Sequence, residues 1–160
     1  MKSAIYPGSF DPITFGHLDI IKRATKIFGK IIVIVANNDM KHTLFSVDER
    51  VNLVKETLKD YPNIEVTTYE GLTVDCAADF KVDAIIRGLR MITDFEFEFQ
   101  MNLANKVMND EIETVFLMTT VENSYISSSL VKEIHKLDGD IKKFVPKCVI
   151  DALDIKRSNS

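Results

Sequence analysis

At 160 residues and 18.2 kDa, the chain is long enough to bury a core without disulfides or a structural metal. Its 46% apolar and 28% charged residues are ordinary globular usage, which excludes an extended disordered chain. A net charge of −4 argues against a general nucleic-acid binder, and the longest apolar run, residues 31–36, is too short to span a bilayer. The start, Met1-Lys2-Ser3 followed by a short strand, does not read as a signal peptide. Cys76 and Cys148 form no CxxC and no pattern with histidine, so they read as free buried thiols of a reducing, cytoplasmic setting.

The first apolar run, 4–6, predicts a strand that enters Tyr6-Pro-Gly-Ser-Phe-Asp-Pro-Ile-Thr-Phe-Gly-His17, followed by a helix over 18–28. A Gly- and Pro-rich turn between a first strand and a helix is where open α/β sheets bind nucleotides. Gly8 permits close backbone approach, Ser9 offers a hydroxyl, and Gly16 leaves space ahead of His17. The first helical turn sets His17 beside N–H groups that point at any bound anion. The competing reading is a tight turn with a surface histidine. The concurrence of Gly, Ser, His and a helix N-terminus favours the anion site.

The second strand, 31–36, is followed by Lys41, whose position alone makes it no more specific than Lys30 or Lys55. Ser46-Val-Asp-Glu49 reads as a capping box opening a helix over 47–58. A strand at 64–68, interrupted by Glu65, precedes a helix at 74–80 and a strand at 84–86. There Ile86-Arg-Gly-Leu-Arg90 offers two arginines as a fork for phosphates. Asp94-Phe-Glu-Phe-Glu-Phe-Gln-Met alternates like a strand, but Phe95, Phe99, Leu103 and Val107 fall four apart and the segment is long. Length predicts a helix capped at Asp94, with Phe97, Met101, Ala104 and Met108 as a second apolar row suited to a subunit interface. Glu98, read alone, is a helix-surface glutamate. After a strand at 115–118, Ser124-Tyr-Ile-Ser-Ser-Ser-Leu-Val-Lys132 opens a helix with serines that can cap it and hold phosphate oxygens. A last helix spans 142–153 with an interruption near Pro146, and 156–160 reads as a frayed end.

Regular β-α alternation predicts right-handed crossovers and a parallel sheet. The fold class expected is α/β, a Rossmann-like doubly wound sheet of five mainly parallel strands with helices on both faces, in one domain over 1–160.

The run from Tyr6 to His17, with Ile86-Arg-Gly-Leu-Arg90, Asp94-Phe-Glu-Phe-Glu98 and Ile126-Ser-Ser-Ser-Leu-Val-Lys132, closely resembles bacterial phosphopantetheine adenylyltransferases. The similarity covers nearly the whole chain in order. The Thr-x-Gly-His and Ile-Ser-Ser signatures mark the wider nucleotidyltransferase superfamily, while Arg-Gly-Leu-Arg followed by Asp-Phe-Glu is more specific. The resemblance implies transfer of the adenylyl group of ATP to 4′-phosphopantetheine. It implies ATP contacts at Ser9, Phe10, His17, Gly88, Leu89, Arg90, Glu98, Asn123, Ser124, Tyr125, Ile126, Ser127, Ser128 and Ser129. It implies acceptor contacts at Ser9, Lys41, Thr73 and Arg87. It also implies a homohexamer, coenzyme A as a feedback ligand, and magnesium arriving with ATP.

The expected chemistry is direct in-line displacement without a covalent intermediate. The nucleophile is a phosphate already ionised at neutral pH, so no general base is needed. His17, Lys41 and Arg90 are expected to stabilise charge in the transition state. No His/Cys/carboxylate spacing suggests a protein-held metal. The rivals are a related enzyme using another phosphate acceptor and a non-catalytic adenylate-binding module. Pyrophosphate release separates them.

Overall fold

Alternate strand residues point to opposite sides of one sheet, and both sides are buried. In the computed structural model, which describes residues 1–37 and 42–158, the strands are β1 (Ser3–Gly8), β2 (Lys30–Ala36), β3 (Ile64–Tyr69), β4 (Ala84–Leu89) and β5 (Glu113–Met118). Their order is β3-β2-β1-β4-β5, and every neighbouring pair is parallel. On one face Ala4, Tyr6, Ile31, Val33, Val35 and Ile86 pack with Ile20, Val54, Val131, Val149 and Leu153. On the other, Ile5, Ile32, Ile34 and Ile85 pack with Cys76, Ala77 and Val82. Each fully buried Ile or Val contributes roughly 1.5–3 kcal/mol, so the two-faced burial of β1 and β2 accounts for their unbroken apolar runs.

The helices are α1 (Phe15–Ala24), α2 (Val47–Thr57), α3 (Thr73–Asp79), α4 (Ile92–Met108), α5 (Ser128–Lys136) and α6 (Lys147–Ser158), with a 3₁₀ turn at Val121–Asn123. β1 is central. The chain winds from it through β2 to β3, then returns to β4 on its other side. The loops leaving β1 and β4 therefore diverge, opening a crevice at the carboxyl edge.

Several local expectations are corrected. α1 begins two residues before His17, because Thr14 caps it, and ends at Ala24 in a turn rather than reaching Phe28. Asp94 is not the cap of α4: Met91 is, and Asp94 reaches back from the first turn to accept from the Met91 N–H at 3.4 Å. The residues before Pro146 form turns, so the last helix starts at Lys147, and it stays helical through Ser158 rather than fraying from Lys156. Cys76 is buried, but Cys148 is only half-buried. Glu65 fits its strand because β3 is an edge, where it pairs with Lys30 at 2.9 Å. The long α4 is a helix, and both its apolar rows are largely solvent-exposed on this chain. No helix among the described residues is long and apolar enough to cross a membrane.

Candidate active site

The crevice at the switch point holds a cavity of about 530 Å³. Its walls come from the turn after β1 (Ser9, Phe10, His17), the end of β4 (Arg87, Gly88, Arg90), and the start of α5 (Ser127, Ser128, Ser129). The sequence motifs, far apart in the chain, meet here.

His17 is set by the helix that it helps to start. Thr14 caps α1 with its side chain, and His17 Nδ1 accepts the Thr14 backbone N–H at 3.1 Å, completing a reciprocal cap. An Nδ1 that accepts carries no proton, so this hydrogen-bond network assigns the proton of the neutral ring to Nε2. Burial, and secondly the positive charge of Arg90, push the imidazole pKa down to about 4. At neutral pH His17 is thus an uncharged N–H donor. Phe10 holds the ring edge-on, with centroids 5.0 Å apart, and Tyr6 packs edge-on against Phe10 at 5.6 Å.

Phe10 has φ of 48°, a left-handed conformation unusual for a bulky residue, and its ring is fully buried. A Cβ at Gly8 would stand 2.9 Å from that ring, so glycine here is required by close approach. The turn is tied down further by Asp11. Its carboxylate accepts from the Leu44 and Phe45 N–H groups, both at 2.9 Å, and from Lys132 Nζ at 2.6 Å. Burial pushes the Asp11 carboxyl up, but the Lys132 and backbone hydrogen bonds outweigh it and hold it below its ordinary range. Arg50, itself buried, donates from Nη1 to the carbonyls of Ser9 at 2.7 Å and Ala36 at 2.9 Å.

The two arginines do not form one fork. Arg87 makes a two-pronged pair with Glu98, at 2.6 and 2.5 Å, while Arg90 Nε faces Asp94 at 3.3 Å. Glu98 is therefore a half-buried partner of Arg87 rather than a free surface carboxylate. Among the serines, Ser127 caps α5 by accepting the Leu130 N–H at 3.1 Å, and Ser128 donates to the Pro12 carbonyl at 2.7 Å. Ile126 lines the cavity, whereas Leu89 is buried and outside its lining. Asn123, Ser124 and Tyr125 lie on the 3₁₀ turn and the residues after it, outside the lining. There Asn123 Nδ2 donates to Thr120 Oγ1 at 2.9 Å, and Tyr125 packs edge-on to Phe144. Thr73 lines a smaller neighbouring cavity with Arg87 and Glu98. Lys41 lies outside the described residues.

Sequence reasoning did not assign Tyr6, Asp11, Thr14, Lys132 or Arg50. Lys132 stood at the end of the serine motif, and its spacing could have flagged it. Arg50 carried no local signal. Asp11 is the one carboxylate among the described lining residues, and its oxygens are already engaged. Among the described residues, no group of three or more His, Cys, Asp or Glu side chains gathers as a metal site.

A doubly wound sheet with an anion-directed cavity at its switch point is the arrangement of an α/β nucleotide-binding protein. In agreement, a family profile described as cytidylyltransferase-like matches residues 5–134. The chain is 54% identical over 153 residues to "Phosphopantetheine adenylyltransferase" of Caldanaerobacter subterraneus subsp. tengcongensis, covering 96% of both chains. It is also 54% identical to the protein of that name from Syntrophotalea carbinolica, over 97% of this chain and 93% of the other. The corresponding protein of Geotalea daltonii is 54% identical over 98% and 97%. The chain belongs to the phosphopantetheine adenylyltransferase family.

Proposed function

We propose that this chain, as a single nucleotidyltransferase domain over 1–160, transfers the adenylyl group of ATP to 4′-phosphopantetheine, giving dephospho-coenzyme A and pyrophosphate. The observation that carries this reading is His17. It is a neutral donor with its proton on Nε2, fixed at the start of α1 within a cavity rimmed by Arg87, Arg90 and the serine-capped α5. Sequence identity over nearly the full chain supports the choice of acceptor.

In this reading an ionised oxygen of the acceptor phosphate attacks the α-phosphorus of ATP. A new P–O bond forms as the bond to the bridging oxygen breaks, and that oxygen leaves with its electron pair in pyrophosphate. No proton must be removed from the nucleophile, which suits a histidine that is neutral and placed as a donor. His17 Nε2–H stabilises charge developing on the α-phosphate, Arg90 and Lys41 offset charge on the phosphates, and the N–H groups opening α1 and α5 add to it. Ser9, Phe10, Gly88 and Ser127 to Ser129 would contact ATP, and Arg87 and Thr73 the acceptor. Because the described lining offers no unengaged carboxylate, magnesium is proposed to be held by ATP's phosphates and water. The exposed apolar rows of α4 support a subunit interface, and family membership is the ground for proposing a homohexamer. Coenzyme A, which contains the product, is the proposed feedback ligand, and the setting is cytoplasmic.

The test is pyrophosphate release from purified protein with Mg-ATP, with and without 4′-phosphopantetheine. Release only with the acceptor is expected. Release only with a different phosphate acceptor would overturn the substrate, and silence with every acceptor would overturn the enzyme reading.

A further inference from the structure

Arg50 stands on the first turn of α2, whose start is fixed by the capping box of Ser46 and Glu49. It is 3% exposed and does not line the main cavity, so it acts on the site only through what it holds. Among the described residues it makes no ion pair. A buried cation is costly unless it is well partnered, and here the partners are backbone carbonyls. Nε donates to Phe45 at 3.3 Å, and Nη1 to Ser9 at 2.7 Å and Ala36 at 2.9 Å.

The Ser9 carbonyl belongs to the peptide that joins Ser9 to Phe10. Rotation of that peptide about the Phe10 N–Cα bond is φ, which stands at 48°. A bulky residue keeps such a left-handed value only where its surroundings impose it. Arg50 pins the peptide at its carbonyl, and burial pins the Phe10 ring on the other side of the same bond. That ring packs edge-on against His17, with centroids 5.0 Å apart. We propose that Arg50 is a positioning residue: by holding the Ser9 carbonyl it fixes the left-handed turn at Phe10 and, through that ring, the placement of His17. With the carbonyl released, the peptide can rotate, and the ring leaves the face it presents to the imidazole.

The test is a double-mutant cycle of Arg50→Lys with His17→Ala. Lysine keeps the charge but is a point donor that cannot span both carbonyls as the guanidinium does. In the wild-type background, kcat for pyrophosphate release should fall about tenfold or more, the effect of a small misplacement. In the His17→Ala background the same substitution should change kcat by no more than about twofold, because the group it positions is already gone. Spectra of the ¹⁵N-histidine-labelled protein supply a readout that needs no turnover. Wild-type His17 titrates near pH 4, and in Arg50→Lys it should move up toward the ordinary value of about 6.5 as its packing loosens. An undiminished kcat, an equal loss in both backgrounds, or an unmoved His17 titration would each overturn the proposal. If Arg50→Lys does not fold, Arg50→Gln takes its place in the cycle, since it keeps a donor without burying a charge. Failure of both to fold would make Arg50 a folding residue and overturn the proposal too. The inference rests on the proposed role of His17, and the two fail separately. An inactive wild type removes the proposed function and leaves the titration to decide this inference, whereas an active wild type with an additive cycle removes this inference alone.

Discussion

Replacing His17 separates two jobs that one ring performs. Nδ1 accepts the Thr14 N–H and completes the cap of α1, while Nε2–H is left for substrate. With a pKa of about 4, only about one ring in a thousand is charged at pH 7, so the lost donor is neutral. His17→Ala should therefore lower kcat about a hundredfold, the low end for removing one oxyanion-type donor, near 2.7 kcal/mol. It should also cost about 1 kcal/mol of stability through the cap. Two further variants divide these effects. In His17→Asn the side-chain oxygen can stand where Nδ1 was, with nothing at Nε2, so stability should return but turnover should not. In His17→Gln the amide nitrogen reaches the Nε2 position, so part of the turnover should return. Pyrophosphate release at saturating substrates and urea unfolding read the two quantities separately. If His17→Asn recovers full turnover, His17 acts only by capping α1, and the donor argument fails.

Three other outcomes follow from particular contacts. Asp11→Ala leaves the Leu44 and Phe45 amides without their acceptor and Lys132 without its counter-ion; because Lys132 keeps some water, about 3 kcal/mol of unfolding free energy should be lost. The folded Asp11 carboxyl titrates below its unfolded value near 4, so the gap between variant and wild type should be full above about pH 4. It should shrink as pH falls through the folded pKa, and a gap that instead grows in acid would contradict the assignment. Gly88→Ala places a Cβ 3.1 Å from Ile20 Cγ1 and 3.3 Å from Tyr6 Oη, and should cost about 1–3 kcal/mol by overpacking, measured by urea unfolding. Cys76, its thiol pushed up to about 11 chiefly by burial, should react with a disulfide reagent at pH 8 only as the chain unfolds; prompt reaction in a Cys148→Ser background would refute its burial.

The sheet was legible because its strands are buried on both faces, which forces unbroken apolar runs such as 31–36, and because Ser46 and Glu49 mark a helix start through local bonds alone. The first turn and the serine run were legible for the same reason: Gly8, His17 and Ser127 act through their own backbone neighbourhoods. Partnerships across the chain were not legible. Nothing near Arg87 in sequence announces that Glu98, on the next helix, takes both its prongs, or that Lys132 closes on Asp11 from 121 residues away. Arg50 looked like any helix-surface cation until β1 and β2 brought the Ser9 and Ala36 carbonyls to it. The sequence by itself determined the periodicities, the caps and the residue types at the sheet edge, because these are set within a turn or two of chain. The tertiary structure alone decided which distant charges neutralise one another and which backbone carbonyls the buried Arg50 holds, because each depends on groups that only the parallel crossovers bring together.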